Sequence, residues 1–425
     1  MTTGTAAAHR AVEAVWRLES ARIIAGLAGL VRDVGLAEEL AQDALVAALE
    51  QWPAEGIPAS PGAWLMLTAK RRAIDRIRRN ERLGGKLSLL ARELESARQG
   101  TLAEFDDDLD EGKIDDDLLR LMFVACHPVL STEARIALTL RLLGGLTTEE
   151  VARGFLAAEP TIAKRIVRAK RTLASRQVPF EVPSPAERPA RLASLLEVLY
   201  LVFNEGYSAM AGDDWMRPAL CTEALRLGRV LAELMPAEPE VHGLVALMEI
   251  QASRIPARLT PAGLPVPLLE QNRGRWDQLL IRRGFTALLR AERRGGPPGP
   301  YVLQAAIAAC HARAHTATDT DWEQIATLYQ ALAALAPSPV VELNRAVAVA
   351  MAGRPERGLE IIDGLAAEPA LASYHHLPSV RGDLLARLGR HEEAASEFHR
   401  AASLTKNIPE RTVLLQRAAE CDARA

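Results

Sequence analysis

The chain has 425 residues, 49% of them hydrophobic and 25% charged, and its 51 Lys and Arg against 54 Asp and Glu leave a net charge of −3. At about 150 residues per domain this length predicts two to four domains with sizeable cores, and the composition excludes a disordered chain or a glycine-periodic fibre. The near-neutral total also excludes a uniformly basic protein, so any surface for a polyanion must come from uneven charge along the chain.

Alanine, leucine, glutamate and arginine recur with helical spacing, and alternating β-branched runs are nearly absent, which predicts an all-α fold. The first part spans about residues 8–85. Its helix from Leu36 to Trp52 carries Glu38, Glu39 and Asp43, with Leu40, Ala44 and Leu45 as buried positions, so a protein is a better partner for it than DNA. A second helix, Pro61 to Asn80, opens with proline in its first turn, where the missing amide costs nothing. Ala63, Leu67, Ala73, Ile74 and Ile77 fall on one side and Arg72, Arg76 and Arg79 on the other. Those three arginines span about 10 Å of helix, enough to meet several phosphates. From Lys70 to Lys86 eight basic residues stand against two acids, net +6.

Glu104 to Asp117 reverses the sign, with nine acids against Lys113, net −8, and predicts an acidic linker over about 86–115 that could shield the basic helices electrostatically. The next part, about 116–177, reads as a helix-turn-helix. Thr147 and Glu150 have capping-box spacing and open a short helix to Phe155; Leu156 to Glu159 form the turn; Pro160 starts a longer helix to about Ser175. On it Ile162, Ile166, Ala169 and Leu173 form an apolar stripe opposite Thr161, Lys164, Arg168 and Arg171, the two-faced pattern of a helix that enters the major groove. Arg153 to Arg176 is again net +6.

Together these two parts resemble a sigma-70 family factor of the extracytoplasmic-function type. Leu36-Ala-Glu-Glu-Leu-Ala-Gln-Asp-Ala-Leu45 is similar to the family's polymerase-contacting stretch; Ala63-Trp64-Leu65, Ala69 and Ala73-Ile74-Asp75-Arg76-Ile77-Arg78-Arg79 to its −10-engaging helix; Leu143-Gly144-Gly145-Leu146-Thr147 with Glu149-Glu150-Val151-Ala152, and Ala169-Lys170-Arg171-Thr172-Leu173, to the opening and close of its −35-binding domain. The resemblance implies that Glu38, Glu39, Gln42 and Asp43 face the clamp helices of the core RNA polymerase β′ subunit, with the β flap as a further partner. It puts Arg72, Arg76 and Arg79 near the −10 element, and Thr161, Lys164, Arg165, Arg168 and Arg171 near the −35 element of promoter DNA. Arg71, Leu45 and Leu49 depart from the usual pattern. Trp64 borders the apolar face and is assigned to packing. The residues alone also admit a DNA-binding regulator or scaffold that is no sigma factor.

Pro179, Pro183, Pro185 and Pro189 forbid a continuous helix and predict a third part over 186–425. There Gly382, Ala394, Phe398 and Ala401 match tetratricopeptide positions, Gly389-Arg390 stands at the turn, Gly358, Ile362 and Leu365 fall one repeat upstream, and Ile325, Tyr329 and Leu332 fall before them. This predicts a superhelical array that modulates the first two parts or recruits a partner. Asn204 to Ser208 and Glu270 to Asp277 are unusually polar for apolar settings: a contact surface, a ligand site, or buried joints between helices. The whole chain resembles sigma factors with a tetratricopeptide-like C-terminal extension.

Cys126, Cys221, Cys310 and Cys421 lie too far apart for paired zinc ligands or a small disulfide framework, which suits a reducing cytoplasm. Neither Cys310, His311 and His315 nor His375-His376 makes a complete ligand set, and no catalytic motif has its required context, so neither enzyme nor cofactor is expected. The most apolar run, Leu192 to Phe203, is short and holds Glu197, so no membrane span is expected.

Overall fold

Long amphipathic helices with few strand signals fold as the periodicity dictates. The computed structural model describes residues 3–84, 111–208, 211–212 and 215–425, and among them the architecture is all-α apart from one pair of two-residue strands. The chain divides into two units, Met1–Val198 and Leu199–Ala425.

The first unit begins with α1 (Thr3–Val31), α2 (Val34–Glu55) and α3 (Pro61–Gly84). Asp33 caps α2, its Oδ1 accepting from the Leu36 amide at 2.9 Å. The three helices pack on a seam of fully buried alanines, Ala25 and Ala28 of α1, Ala37, Ala41, Ala44 and Ala48 of α2, and Ala69 and Ala73 of α3, flanked by Ile23, Ile24, Leu27 and Leu65. On α3 this corrects the expected stripe. Ala73 is buried as expected, and Leu65, Met66 and Ala69 are buried with it, while Ala63, Leu67, Ile74 and Ile77 are only partly covered. Trp64 packs as expected, its ring edge-on to buried Trp52 with centroids 5.5 Å apart.

Residues 85–110, most of the segment read as an acidic linker, lie outside the described residues; its end does not, since α4 (Glu111–Ala125) takes Glu111 to Asp115 into a helix that packs on α1. Then come α5 (Thr132–Leu142), α6 (Thr148–Gly154) and α7 (Glu159–Ser175). The capping box forms, with the Glu150 amide donating to Thr147 Oγ1 at 3.1 Å and the Thr147 amide to Glu150 Oε2 at 2.8 Å. Gly145 has φ 63°, and a Cβ there would stand 2.9 Å from Ser20 Oγ of α1, so this loop needs glycine for both conformation and space.

The proline run ends at α8 (Arg188–Tyr207), yet the two units divide at Val198, inside this helix. Its first half is bound to the first unit: Ser194 Oγ donates to the Cys126 carbonyl at 2.7 Å, Arg191 to the Phe123 carbonyl at 2.9 Å, and Arg135 pairs with Glu197 at 3.1 Å.

The second unit continues with α9 (Pro218–Leu234), α10 (Pro239–Ala252), α11 (Gln278–Arg293), α12 (Pro300–Arg313), α13 (Trp322–Leu335), α14 (Pro339–Met351), α15 (Pro355–Leu365), α16 (His376–Arg387), α17 (His391–Leu404) and α18 (Ile408–Asp422). Strands Ala211–Gly212 and Lys406–Asn407 pair in parallel. From α12 onward each helix packs on its successor, and Gly353 and Gly389, with φ 86° and 76°, turn the chain from α14 into α15 and from α16 into α17. Ile325, Leu332, Ile362, Ala394, Phe398 and Ala401 are buried; Tyr329 and Leu365 are partly covered. A Cβ on Gly382 would stand 3.0 Å from the Phe398 ring, so the small residue and the aromatic fit one another. Replacing Phe398 with alanine empties that site and is expected to destabilise the second unit by about 3–5 kcal/mol. Urea unfolding followed by circular dichroism checks this; an unshifted transition would contradict the packing.

Candidate polymerase and DNA interfaces, and a cleft in the extension

On α7 the apolar stripe of Ile162, Ile166, Ala169 and Leu173 is buried, as expected. Thr161, Lys164, Arg168 and Arg171 are exposed and Arg165 is partly so, leaving a cationic face on the solvent side. Arg76 and Arg79 of α3 are also exposed. Arg72 is half-exposed and lies 3.7 Å from Asp43 of α2, so the basic and acidic faces of these two helices adjoin.

The four acidic or amide residues of α2 separate into two groups. Glu39 and Asp43 are exposed and Gln42 partly so. Glu38 is 3% exposed and faces inward: its Oε1 accepts from Arg141 Nε of α5 at 2.7 Å and from Gln42 Nε2 at 2.7 Å, and its Oε2 pairs with Lys170 of α7. Beside it Arg17 of α1 pairs with Glu150 of the capping box at 2.9 Å. Sequence reasoning had Glu38 facing outward with its neighbours; in this conformation its carboxylate ties the first helical group to the second. Opposite charges more than a hundred residues apart give no periodic signal, so the pairing was not legible in the sequence.

The second unit brings together the two polar segments singled out above. Gly206 lets α8 meet the start of α9 closely, since a Cβ there would stand 2.7 Å from the Cys221 amide nitrogen and 2.9 Å from the Arg217 carbonyl. Glu205 pairs with Arg217 on the same approach. This seats the Tyr207 ring over Arg258, whose guanidinium lies 3.4 Å from its centroid and 4.3 Å from that of Trp215. In the other segment, Arg273 donates to the Ala314 carbonyl at 2.9 Å and to Thr320 Oγ1 at 3.0 Å, buried Trp276 packs under Arg254, and Gln271 Nε2 donates to the Val266 carbonyl at 3.0 Å. Much of both segments is therefore a set of satisfied joints. Arg258 differs: it is 5% exposed, its Nε has no hydrogen-bond partner, and no carboxylate pairs with it among the described residues. Burial, reinforced by Arg254, holds its pKa below the usual range despite the opposing influence of Tyr207.

Cys310, His311 and His315 do not gather. Cys310 Sγ donates to Gln324 at 3.2 Å, and His311 packs edge-on to Trp322 with centroids 5.1 Å apart. His375, His376 and Glu410 do converge, with ligand-type atoms within 4.8 Å of one another; Glu410 accepts from Thr405 Oγ1 at 2.7 Å and lies 3.0 Å from His375 Nε2. The sequence offered only the two histidines, because Glu410 arrives from another helix. All four cysteines are buried and free, and burial pushes the Cys126 thiol up to about 11.

Residues 18–83 match sigma-70 region 2, residues 120–173 match sigma-70 region 4, and residues 191–292 match a family of unknown function, DUF6596. An uncharacterized protein of Rhizobium meliloti is 44% identical over 379 residues, which cover 89% of this chain and 88% of the relative. The chain belongs to the sigma-70 family, as a factor of the extracytoplasmic-function-like type with a helical C-terminal extension. Its role is in transcription initiation, through core RNA polymerase and promoter DNA. No described helix is long and apolar enough to cross a membrane.

Two predictions follow from this geometry. Glu38→Ala leaves Arg141 and Lys170 facing one another without their anion, a loss of about 3–5 kcal/mol for a broken buried pair. Spin labels on α2 and α7 are expected to report a broadened distance distribution in that variant; an unchanged one would show that the carboxylate is not the tie. His311 is held neutral, its pKa lowered from 6.5 to about 3 by burial and by Arg254 and Arg273. The unfolded chain takes up this proton first, so the residue's contribution to stability is complete above pH 6.5 and is lost as pH falls from there toward 3. His311→Asn is expected to flatten the fall in stability across that window, measured by urea unfolding at several pH values.

Proposed function

We propose that this protein is an alternative sigma factor that directs polymerase to a small set of promoters in the cytoplasm, and that its extension, a tetratricopeptide-like array, modulates that activity. The observation carrying the reading is the division of faces on α7: a buried apolar stripe beneath an exposed row of Thr161, Lys164, Arg168 and Arg171, set behind a capped hairpin. Such a row, with Arg165 beside it, suits −35 recognition in the major groove, where basic side chains read base edges and hold phosphates. Arg72, Arg76 and Arg79 suit the −10 region. Glu39, Asp43 and Gln42 offer the β′ clamp helices an accessible acidic face, and the region 4 surface has the β flap as its partner. Glu38 joins the polymerase contact only after Arg141 and Lys170 let it go, so activity depends on regions 2 and 4 separating.

Run-off transcription with purified core polymerase on a genomic promoter library tests the assignment. The full chain is expected to confer promoter-specific initiation, and the absence of any initiation would overturn the reading. Glu39→Lys with Asp43→Lys is expected to abolish polymerase binding while helicity persists. Arg168→Ala is expected to weaken promoter binding by roughly tenfold and to reduce the salt slope by about one phosphate contact. A full salt slope in that variant would remove Arg168 from the interface.

A further inference from the structure

The extension contains a cleft of about 250 Å³ whose walls include Trp215, Arg254, Arg258, Glu410, Leu414 and Arg417. Some of its charges are already matched. Arg417 pairs with Asp383 of α16 and Glu410 is held by His375 and Thr405, while Arg254 is hydrogen-bonded to the neutral Gln251 at 3.0 Å. Arg258 is the most deeply buried of these cations, its Nε has no hydrogen-bond partner, and no carboxylate pairs with it among the described residues. A desolvated cation without a counter-ion is costly to keep, and its flanking aromatic rings offset only part of that cost. The fold nevertheless fixes it there: the Val266 amide donates to the Arg258 carbonyl at 2.8 Å, Gly206 admits Tyr207 against the guanidinium, and Trp215 lies beside it.

We propose that this cleft receives a small organic monocarboxylate, its carboxylate paired with Arg258 and its apolar body lying against Trp215, Val266 and Leu414. A guanidinium meets a planar carboxylate with two parallel hydrogen bonds, which supplies the missing anion and its geometry together. The charge balance selects a monoanion. Among the described residues neither Arg254 nor Arg258 has a carboxylate partner, and Glu410 on the lining disfavours a dianion such as phosphate. The volume lies just below the usual range of roughly 300–1,000 Å³ for small-molecule sites, which limits the ligand to a compact acid. The regulatory sense of this binding rests on the modulating role proposed for the extension; the binding itself does not.

Isothermal titration calorimetry on the full chain tests the proposal without reference to transcription. The probes are benzoate, isovalerate, the neutral isostere benzamide, and inorganic phosphate. Saturable binding of benzoate or isovalerate is expected, with none for benzamide and weaker binding of phosphate. Arg258→Gln is expected to weaken carboxylate binding by at least about tenfold at unchanged helicity. Should that variant fail to fold, Val413→Glu, which adds an anion on the cleft wall from partly exposed α18, is expected to weaken the same binding. Failure of both carboxylates to saturate, equal affinity for benzamide or phosphate, or unchanged affinity in a folded variant would each overturn the proposal. A chain that binds benzoate yet gives no initiation would keep the cleft and discard the sigma reading.

Discussion

A carboxylate buried between two cations governs the first unit. Glu38 leaves water at a cost that only its close contacts with Arg141, Lys170 and Gln42 offset, so its position fixes where α5 and α7 rest against α2. The arrangement is conditional by nature. A buried ion pair gains little over two solvated ions, so a polymerase surface that solvates or pairs Glu38 equally well removes most of the reason for regions 2 and 4 to stay together. An acidic residue beside an exposed acidic patch thus has a different role from its neighbours, set by which way one helical turn faces.

The same contact changes the meaning of the basic run in region 4. Lys170 belongs to the positive stretch by sequence and to Glu38 by structure, so the exposed cationic surface is narrower than the charge count suggests. Arg72 is similarly drawn toward Asp43, at a distance where solvent screening leaves a weak attraction. Lys164, Arg168, Arg171, Arg76 and Arg79 stand on outward faces.

Local rules were legible and distant pairings were not. Thr147 and Glu150 announced a capping box by spacing, and Ile162, Ile166, Ala169 and Leu173 announced a buried stripe by period, because each signal lies within a few turns of helix. On α3 the expected stripe held Ala73, which is buried, but left out Leu65, Met66 and Ala69, which are buried with it. The proline run correctly ended one helix and opened the next, but the division between units follows packing, and Arg135, Ser194 and Arg191 carry it into α8. The cleft was present only as two odd polar segments. Its centre, Arg258, lies in neither of them, and Glu410 and Arg417 come from the last helix of the chain.

The alanine seam has a consequence for how this region varies over evolutionary time. A core of large side chains can exchange volume between neighbours, since one residue shrinks as another grows. Fully buried methyl groups between three helices have nothing to give up, and even one added methylene must move a backbone, at about 1–3 kcal/mol. Drift along α1, α2 and α3 is therefore confined to their outer faces. Substitutions on those outer faces leave the distance between the helices the same.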